Sequence, residues 1–372
     1  MIPHEVYRFN SRTQLLVPEG AEFTGPDRDY AARLAHILLL KTMTQKERQD
    51  YGHFIPFSQA YGRAFFGGNW HRASKAARTQ FGHIFDFNDR YWNGPGSFSK
   101  SIRLKDDYRT GKVQIYECSR AIKHRSFIDE EELDTASRRL IKNFDYFSLP
   151  EETPEFENPW QALTWTFIVN KQYYANRCRF RRFHSNFTSF KHRYLLESNK
   201  DLCALDIVAC QPLILGIVVL QSCDEPDVHR WLEICSKEDI YMHIAHHMGT
   251  DDRKAVKASM IRCLFERKTQ MENMAIFKVL LEHFPTIAAF LSACKQAQGH
   301  QCVAHMCQRL EAGIMIDKVT SDLRDTPLIT VHDELILYVK QVERAQRFIN
   351  KRFAEYGVTP RYKVTLFEDK KN

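Results

Sequence analysis

Hydrophobic and polar residues follow different patterns in the two halves of the chain. In the first half, short helical patterns alternate with strand-like ones; the second begins with a short apolar strand followed by a long series of helical patterns. Between them, residues 148–160 are acidic, contain three prolines and show little periodicity, which is typical of a domain boundary. We therefore predict one domain over residues 1–150 and a second over residues 151–372.

The first half predicts a helix over residues 31–44 and two shorter helices over residues 55–66 and 71–85. Residues 90–104 then read as two strands around a Gly-Pro-Gly turn. Helices followed by a β-hairpin are the order found in winged-helix modules, whose second short helix faces nucleic acid. The sequence therefore predicts an N-terminal winged-helix-like domain.

The second half predicts a small antiparallel sheet. Residues 202–208 (LCALDIV) form a short apolar strand that reaches an acidic residue, and residues 327–340 read as a hairpin with His332 and Asp333 at its turn. A final strand over residues 362–367 can join them, which gives an α+β fold. Helices are predicted over residues 212–221, 227–235, 238–248, 251–268, 286–296, 301–319 and 342–356.

The composition is that of an ordinary globular protein. The chain has 372 residues, of which 44% are hydrophobic and 27% charged, enough for about two domains with real cores. No apolar run approaches the roughly 20 residues of a membrane span, so we expect a soluble intracellular protein without a membrane partner. Ten cysteines without a CxxC pair indicate buried reduced thiols rather than disulfides or zinc ligands.

Positive charge is concentrated in two stretches. The whole chain carries 53 Lys and Arg against 46 Asp and Glu, a balance of +7. Residues 60–126 alone carry thirteen basic and five acidic side chains, and residues 171–200 carry eight and one. Aromatic residues are interleaved with the basic ones in both, which is typical of a polyanion-binding surface; the alternative is a solvated basic face with core aromatics.

Two carboxylates form a candidate metal site. Asp206 ends the first strand of the second half, and Asp333 lies at the predicted hairpin turn, 127 residues later. If these strands are neighbours in one sheet, both carboxylates meet at its exposed end. Hard oxygen ligands in that position suit two Mg²⁺ ions acting in displacement at phosphorus. The alternative is two unrelated acidic residues at a turn and a strand end.

The helix predicted from residue 251 carries a candidate nucleotide-binding face. Arg253, Lys257, Ile261 and Phe265 follow one another at a spacing of four, which keeps them within a 120° arc of the helix. Two cations near the helix N-terminus suit a triphosphate, and an aromatic ring further along can stack on a base. The alternative is an amphipathic helix whose basic residues face solvent and whose Phe265 lies in the core.

These segments resemble the family A DNA polymerases, the class of bacterial repair polymerases and many phage replicases. LDIVACQP resembles motif A, RKAVKASMIRCLF resembles motif B, and VHDE resembles motif C. RFHSNFTSFKHR resembles the segment that precedes motif A, and EDIY resembles a turn between motifs A and B. The five segments stand in the family's order and extend over about residues 170–367.

The resemblance implies a right-hand polymerase palm with helical fingers that extends a primer with dNTPs on a DNA template. It implies two Mg²⁺ ions, for which Mn²⁺ can substitute, held by Asp206, Ile207 and Asp333, with Lys257 as a further catalytic residue. The implied nucleotide-binding residues are Arg253, Lys257, Gln211, Ile261 and Phe265. The implied primer–template residues are Arg182, Ser185, Arg193, Gln308, His332 and Glu334, together with Glu311 on the same helix as Gln308.

The sequence also departs from the family. Gln211 stands where these polymerases have the Glu that excludes the ribose 2′-OH, and Phe265 replaces the usual Tyr, so their hydrogen bond cannot form. Arg181 replaces the glycine before the family's Arg, and Glu266 replaces a glycine after motif B. Only about 170 residues precede the palm, which implies a reduced thumb and no proofreading exonuclease.

The expected role is replication or repair of a phage or mobile element, in the cytoplasm of a bacterial host or an infected cell. Primer–template DNA and dNTPs are the expected partners, with a processivity factor or a helicase as a further one. Two other functions stay open: an RNA polymerase or primase-like enzyme on the same palm, and a replication initiator that binds DNA without catalysis.

Overall fold

The computed structural model describes residues 6–90, 100–120, 133–147, 149, 153–191 and 193–366. The strands are β1 (Gln14–Pro18), β2 (Ile55–Pro56), β3 (Phe85–Asn88), β4 (Ser101–Leu104), β5 (Val113–Glu117), β6 (Ala175–Arg177), β7 (Phe183–Ser185), β8 (Leu202–Ile207), β9 (Leu328–Val331), β10 (Glu334–Tyr338) and β11 (Tyr362–Leu366).

The helices, in chain order, are α1 (Arg28–Met43), α2 (Lys46–Asp50), α3 (Gln59–Phe66), α4 (Trp70–Thr79), α5 (Thr135–Asn143), α6 (Pro159–Val169), α7 (Asn186–Ser189), α8 (Arg193–Ser198), α9 (Cys210–Leu220), α10 (Pro226–Lys237), α11 (Ile240–His247), α12 (Arg253–Phe265), α13 (Lys268–Met271), α14 (Ala275–His283), α15 (Pro285–Gln298), α16 (Cys302–Ala312), α17 (Thr320–Asp322) and α18 (Val342–Ala354). A π-helical segment, Gly313–Val319, joins α16 to α17. The fold therefore combines helices with small antiparallel sheets.

The chain divides into two compact units that do not follow the predicted division at residue 150. Unit 1 holds residues 1–133, 148–176 and 184–198, and unit 2 holds residues 134–147, 177–183 and 199–372. The chain therefore passes between the units several times instead of completing one before it enters the other.

Unit 1 is built around α1, whose residues Leu34, Ile37 and Leu38 are completely buried. A three-stranded antiparallel sheet has the order β2-β4-β3, and β1 pairs with β5 in a separate two-stranded sheet. Helix α6 adds Leu163 and Phe167 to the same hydrophobic core. Its residues 161–168 are buried on all sides, which is expected of a helix enclosed by its neighbours.

Unit 2 contains a four-stranded antiparallel sheet with the order β11-β8-β10-β9. Strand β8 is buried along almost its whole length because β10 and β11 flank it on both sides. Helices α9 to α17 lie in the sequence between β8 and β9, so the predicted early strand, helical insertion and late hairpin are present. Helix α9 packs closely on α10 at Gly216. A Cβ atom at this position would lie 2.5 Å from the Leu232 side chain, so only glycine allows this approach.

Several predicted elements differ in their bounds. The helix predicted over residues 55–66 is a short strand, β2, followed by α3, and the helix predicted over residues 71–85 ends at Thr79. Pro56 explains the first difference, because a residue before proline is disfavoured in helical conformation. Helix α14 was absent from the predictions, and the Gly-Pro-Gly turn of the predicted hairpin lies outside the described residues.

Candidate functional site

The sheet of unit 2 brings the two predicted carboxylates to one end. Asp206 is the penultimate residue of β8, and the register of β8 with β10 places Glu334 directly opposite it. Asp333 immediately precedes Glu334, in the two-residue turn between β9 and β10. The sequence prediction that the strand and the hairpin are neighbours in one sheet is therefore confirmed by their pairing.

The hairpin turn has a strained backbone. His332, its first residue, has φ of 60°, in the left-handed region that favours glycine. A positive φ at the first turn residue is common in two-residue hairpins, but a residue with a side chain adopts it at a cost of about 1 kcal/mol. Such strain persists where the surrounding structure holds it, and it concentrates at functional sites.

The electrostatic environment of Asp206 is that of a crowded acid. Burial raises its pKa to about 6, and the negative charge of Asp333 adds to this rise. Lys257 and Lys363 act in the opposite direction, and Lys363 lies opposite Asp206 on β11. Two partly buried carboxylates that repel one another favour a bound proton or a bound cation.

Asp333 shares this environment. Burial raises its pKa, whereas the charges of Arg182 and Lys257 and a hydrogen bond from the Cys210 thiol oppose the rise. Lys257 thus acts on both carboxylates at once, although it belongs to α12 and not to the sheet. The three residues predicted to be catalytic therefore lie within electrostatic reach of one another.

A third carboxylate, Glu311, lies within electrostatic reach of Asp333. It is only 1% exposed, and its two oxygens accept hydrogen bonds from Arg182 at 3.0 Å (Nε–Oε1) and 2.6 Å (Nη2–Oε2). The Gln211 side-chain amide donates a further hydrogen bond to the same carboxylate. Burial raises the pKa of Glu311 to about 7, although Arg182 opposes the rise.

This network changes the interpretation of three predicted residues. Arg182 and Glu311, predicted to contact the primer–template, bind one another, and Arg182 is only 17% exposed. Gln211, predicted to meet the nucleotide sugar, lies in the first turn of α9, and its side-chain amide donates a hydrogen bond to Glu311 of α16. Helix α9 can begin so close to β8 because Ala209 has φ of 54°, which reverses the chain within two residues. Sequence reasoning did not connect Glu311 with Gln211.

Helix α12 presents the predicted nucleotide face to solvent. Lys257 is exposed, and Ile261 and Phe265 are 39% and 38% exposed. The opposite face of the helix is buried through Val256, Met260, Cys263 and Leu264. The alternative that Phe265 lies in the core is therefore wrong, and two large apolar side chains are available on the surface of this helix.

Arg253 lies at the start of the same helix and is partly engaged. Its guanidinium binds Asp239 (Nε–Oδ2 2.6 Å) and lies 5.1 Å from the centre of the Tyr241 ring. Asp239 also accepts hydrogen bonds from the backbone N–H groups of Tyr241 and Met242, so it caps α11. The EDIY segment therefore orients Arg253, a role that sequence reasoning did not assign to it.

The remaining predicted primer–template residues have mixed surroundings. Ser185 is 1% exposed, and its side chain caps α7. Arg193 begins α8, and its side chain lies outside the described residues. His332, Glu334 and Gln308 are partly exposed.

Two other predicted positions are informative. The side chain of Ile207 is buried, so only its backbone can meet a ligand, and its N–H already binds the Asp206 carboxylate. Arg181, which stands where the family has glycine, has φ of 65°. The backbone at this position therefore has the conformation that glycine favours, although the side chain is an arginine.

The donor set fits magnesium. Mg²⁺ is commonly bound by one or two carboxylates, with water and substrate phosphates as its other ligands. Asp206 and Asp333 supply two hard oxygen groups whose mutual repulsion a divalent cation would relieve. Across the described residues, no cluster of three or more His, Cys, Asp or Glu side chains is arranged to hold a metal by itself.

Comparison with known proteins gives a distant structural similarity. No protein-family model and no curated protein matches the chain. Among solved structures, the chain is similar to the POL domain of Pol1 from M. smegmatis in a complex with DNA primer-template and dNTP, at 10% identity and a TM-score of 0.38. The match covers 63% of each chain, so this chain spans less than two thirds of that domain.

In the described part of the chain, no helix has the length and apolar character needed to span a bilayer.

Proposed function

We propose that this protein is a template-directed DNA polymerase that adds dNTPs to a primer 3′-OH. The observation that carries the proposal is the convergence of Asp206, Asp333 and Lys257 at one end of the unit 2 sheet. These are the residues that the motif A, B and C resemblance assigns to catalysis. They come from a strand, a hairpin turn and a helix that are far apart in the sequence.

The charges of the site suit a metal–triphosphate substrate. When ionised, Asp206, Asp333 and Glu311 carry three negative charges, and Arg182, Lys257 and Lys363 carry three positive ones. The repulsion between Asp206 and Asp333 would favour bound divalent cations. Asp206 and Asp333 would hold two Mg²⁺ ions, which supply an activated 3′-oxygen and offset the negative charge that develops at phosphorus.

The reaction joins the primer 3′-oxygen to the α-phosphorus of the nucleotide and breaks the bond from that phosphorus to the β-phosphate oxygen. The hydroxyl proton passes to solvent water, and the leaving pyrophosphate gains a proton. Lys257, whose ammonium group acts on both carboxylates, would bind the triphosphate and give this proton. Arg253, oriented by Asp239, would bind the outer phosphates.

The exposed face of α12 would receive the base. Phe265 and Ile261 present apolar surface on the same side of the helix as Lys257. An aromatic ring can stack on any base, which suits an enzyme that must accept all four nucleotides. The ring of Phe265 would therefore contribute to nucleotide binding without selecting among bases.

An RNA polymerase or primase-like enzyme on the same scaffold is the second candidate. The observation that favours it is Gln211, whose amide donates to Glu311. Gln211 is thus a neutral residue with its amide already engaged, at the position where the resembled DNA polymerases carry the Glu that excludes the ribose 2′-OH. The relative rates of extension with dNTPs and rNTPs distinguish the two enzymes.

For unit 1 we propose a winged-helix-like, basic DNA-binding domain. The support is the element order α1, α2, β2, α3, α4, β3, β4, combined with the sheet order β2-β4-β3. In this arrangement two short helices precede a β-hairpin, and the first strand pairs with the last.

A partner that increases processivity, a two-ion Mg²⁺ requirement and a role in a phage or mobile element also belong to the proposal.

The test is extension of a labelled primer–template by the full-length protein in Mg²⁺, with Asp333→Ala as the variant. We expect extension by the wild type, a loss of about 10³-fold or more in the variant, and unchanged DNA binding, because the change removes a metal ligand and no phosphate contact. Asp325→Ala, at an exposed acid shortly before β9, is the control. Full activity of Asp333→Ala would refute the proposal, and DNA binding without extension by the wild type would favour a non-catalytic initiator.

A further inference from the structure

Helices α3 and α4 of unit 1 form a helix–turn–helix. The connection is the three-residue turn Gly67–Asn69, in which Gly67 has φ of 58°. Helix α4 packs against both α3 and α1, and α1 also contacts the three-stranded sheet. Two helices joined by a short turn that contains glycine are the arrangement in which a second helix can enter a DNA groove.

The interior of this motif is closely packed. The Trp70 ring, 7% exposed, stacks on Phe57 at a centroid distance of 4.9 Å and contacts Phe66 at 5.7 Å. A Cβ atom at Gly62 of α3 would lie 2.2 Å from the Trp70 ring, so α3 approaches α4 as closely as a glycine permits. The orientation of α4 relative to α3 is therefore fixed by packing.

Helix α4 has one buried and one exposed face. Trp70, Ala73, Ala76 and Ala77 are buried and lie within a 120° arc of the helix. The residues exposed on the opposite arc are His71, Arg72, Lys75, Arg78 and Thr79. The helix contains no acidic residue, so this face is uniformly neutral or basic.

The cations on this face are differently engaged. Arg78 binds Asp89 through two hydrogen bonds of 2.7 Å, and its guanidinium lies 4.0 Å from the centre of the Phe87 ring. Arg72, 54% exposed, pairs with Asp27. Lys75 forms no ion pair within the described residues. The Arg78–Asp89 pair is exposed on both sides, and such pairs contribute about 0–1 kcal/mol, so a phosphate can compete for Arg78. Arg72 keeps more than half of its side chain exposed although Asp27 is 17% exposed and the Tyr30 ring lies 5.3 Å from its guanidinium.

We propose that α4 enters the major groove of duplex DNA and that Arg72 and Lys75 select a base sequence there. This inference rests on the proposed DNA-binding function of unit 1 and not on the proposed polymerase activity, and it gives the protein a site-specific DNA-targeting function. Residues near the N-terminus of a recognition helix contact base edges, and Arg and Lys pair with guanine. Both residues lie in the first two turns of α4, on its exposed face.

Duplex DNA fits this face better than other nucleic acids. Single strands are bound by exposed aromatic rings that stack on bases, whereas the aromatic residue of α4, Trp70, is buried. The major groove of A-form RNA is too deep and narrow for side chains to read, and the B-DNA major groove admits a helix. The exposed face of α4 has cations for this purpose and no stacking surface.

The test is selection by the full-length protein, without nucleotides and with EDTA, from duplexes that contain about 20 randomised base pairs. We expect the wild type to enrich a common sequence. On the enriched duplex, Arg72→Ala and Lys75→Ala should each bind about 10-fold more weakly and should lose the enrichment. Lys112→Ala, at an exposed lysine beside the β1–β5 sheet, removes the same charge elsewhere in unit 1 and should retain it.

Both variants change exposed side chains, so unchanged thermal unfolding would establish that the fold is intact. Enrichment of no sequence by the wild type would overturn the proposal, as would the same enriched sequence and affinity in both variants. Tighter binding to a single-stranded pool than to duplexes would also overturn it. Because nucleotides are absent, none of these outcomes depends on primer extension.

Discussion

Two stretches of this chain carry nearly the same excess of positive charge and have different environments in the fold. In residues 60–126, the basic side chains of α4 are exposed along one helix face. In residues 171–200, three arginines are engaged by acids of unit 2. Arg177 pairs with Asp134 (3.1 Å) and Asp317 (2.8 Å), Arg181 pairs with Asp317 (2.7 Å), and Arg182 pairs with Glu311 (2.6 Å).

The difference shows that an excess of basic residues is not by itself a DNA-binding surface. The sequence leaves two interpretations of the second stretch open, a polyanion-binding surface or a solvated basic face, and much of its charge is neutralised by acids that are distant in the sequence. The aromatic residues interleaved with the basic ones do not form a binding surface by themselves either, because Trp70, Phe81 and Phe183 are buried in the cores. Whether a cation meets solvent or a buried acid decides its energetic role and the effect of its removal.

The largest expected effect is on the free energy of unfolding, and it distinguishes the buried Arg182–Glu311 pair from the exposed Arg78–Asp89 pair. Glu311→Ala should lower the free energy of unfolding by about 3 kcal/mol, because Arg182 would stay buried without its carboxylate partner. Asp89→Ala breaks an equally well-formed pair with Arg78 on the surface and should change it by less than about 0.5 kcal/mol. Denaturant unfolding of both variants measures the difference. Equal effects would contradict the distinction between the two stretches.

The packing beneath the exposed cations can be tested separately from their charge. Gly62→Ala should destabilise the protein by about 2 kcal/mol, because the added methyl group has no room beside Trp70. Gly68→Ala is the matched control, since a Cβ at Gly68 meets no atom within 4 Å. Thermal unfolding of the two variants is the measurement, and a harmless Gly62→Ala would show that α4 is not held by this contact.

A smaller effect concerns the buried acids when no metal is bound. The pKa of Asp206 is raised from 3.8 to about 6, so the folded state holds a proton more tightly than the unfolded state does. Stability from this group is therefore present at low pH and is lost as the pH rises through about 6. Asp206→Asn should remove that loss and stabilise the protein at pH 8 by about 1 kcal/mol, allowing for partial solvent screening.

Unfolding in EDTA at pH 5 and at pH 8 tests this expectation. The gain of Asp206→Asn over the wild type should be larger at pH 8, and Mg²⁺ should stabilise the wild type more than the variant. A variant that is less stable than the wild type at both pH values would show that Asp206 is not a repelled carboxylate.

Local patterns in the sequence accounted for the sheet that carries the site. The apolar arms around His332 and Asp333 predicted the hairpin, and the strand before Asp206 was equally clear, because both are short apolar runs bounded by turn signals. The spacing of four from Arg253 to Phe265 predicted one helix face, and that face is exposed. These features depend on residues that are close in the sequence.

The features that were missed depend on distant partners. Glu311 and Gln211 are separated by 100 residues, and nothing in either residue type predicts the buried hydrogen bonds that join Glu311 to Gln211 and Arg182. Ser185 matched a family motif, but its hydroxyl caps a helix. The division into units was also unpredictable from composition, because the chain passes between them through ordinary segments rather than through a linker.

Primer extension in Mg²⁺ with dNTPs and with rNTPs, by the wild type, Asp206→Asn and Asp201→Asn, tests the central claim most directly. Asp201 is exposed and precedes the opposite end of β8, so its variant changes the same functional group away from the site. The carboxylate-pair account predicts extension by the wild type and by Asp201→Asn, with a loss of about 10³-fold or more in Asp206→Asn. Extension by Asp206→Asn at the wild-type rate would contradict it.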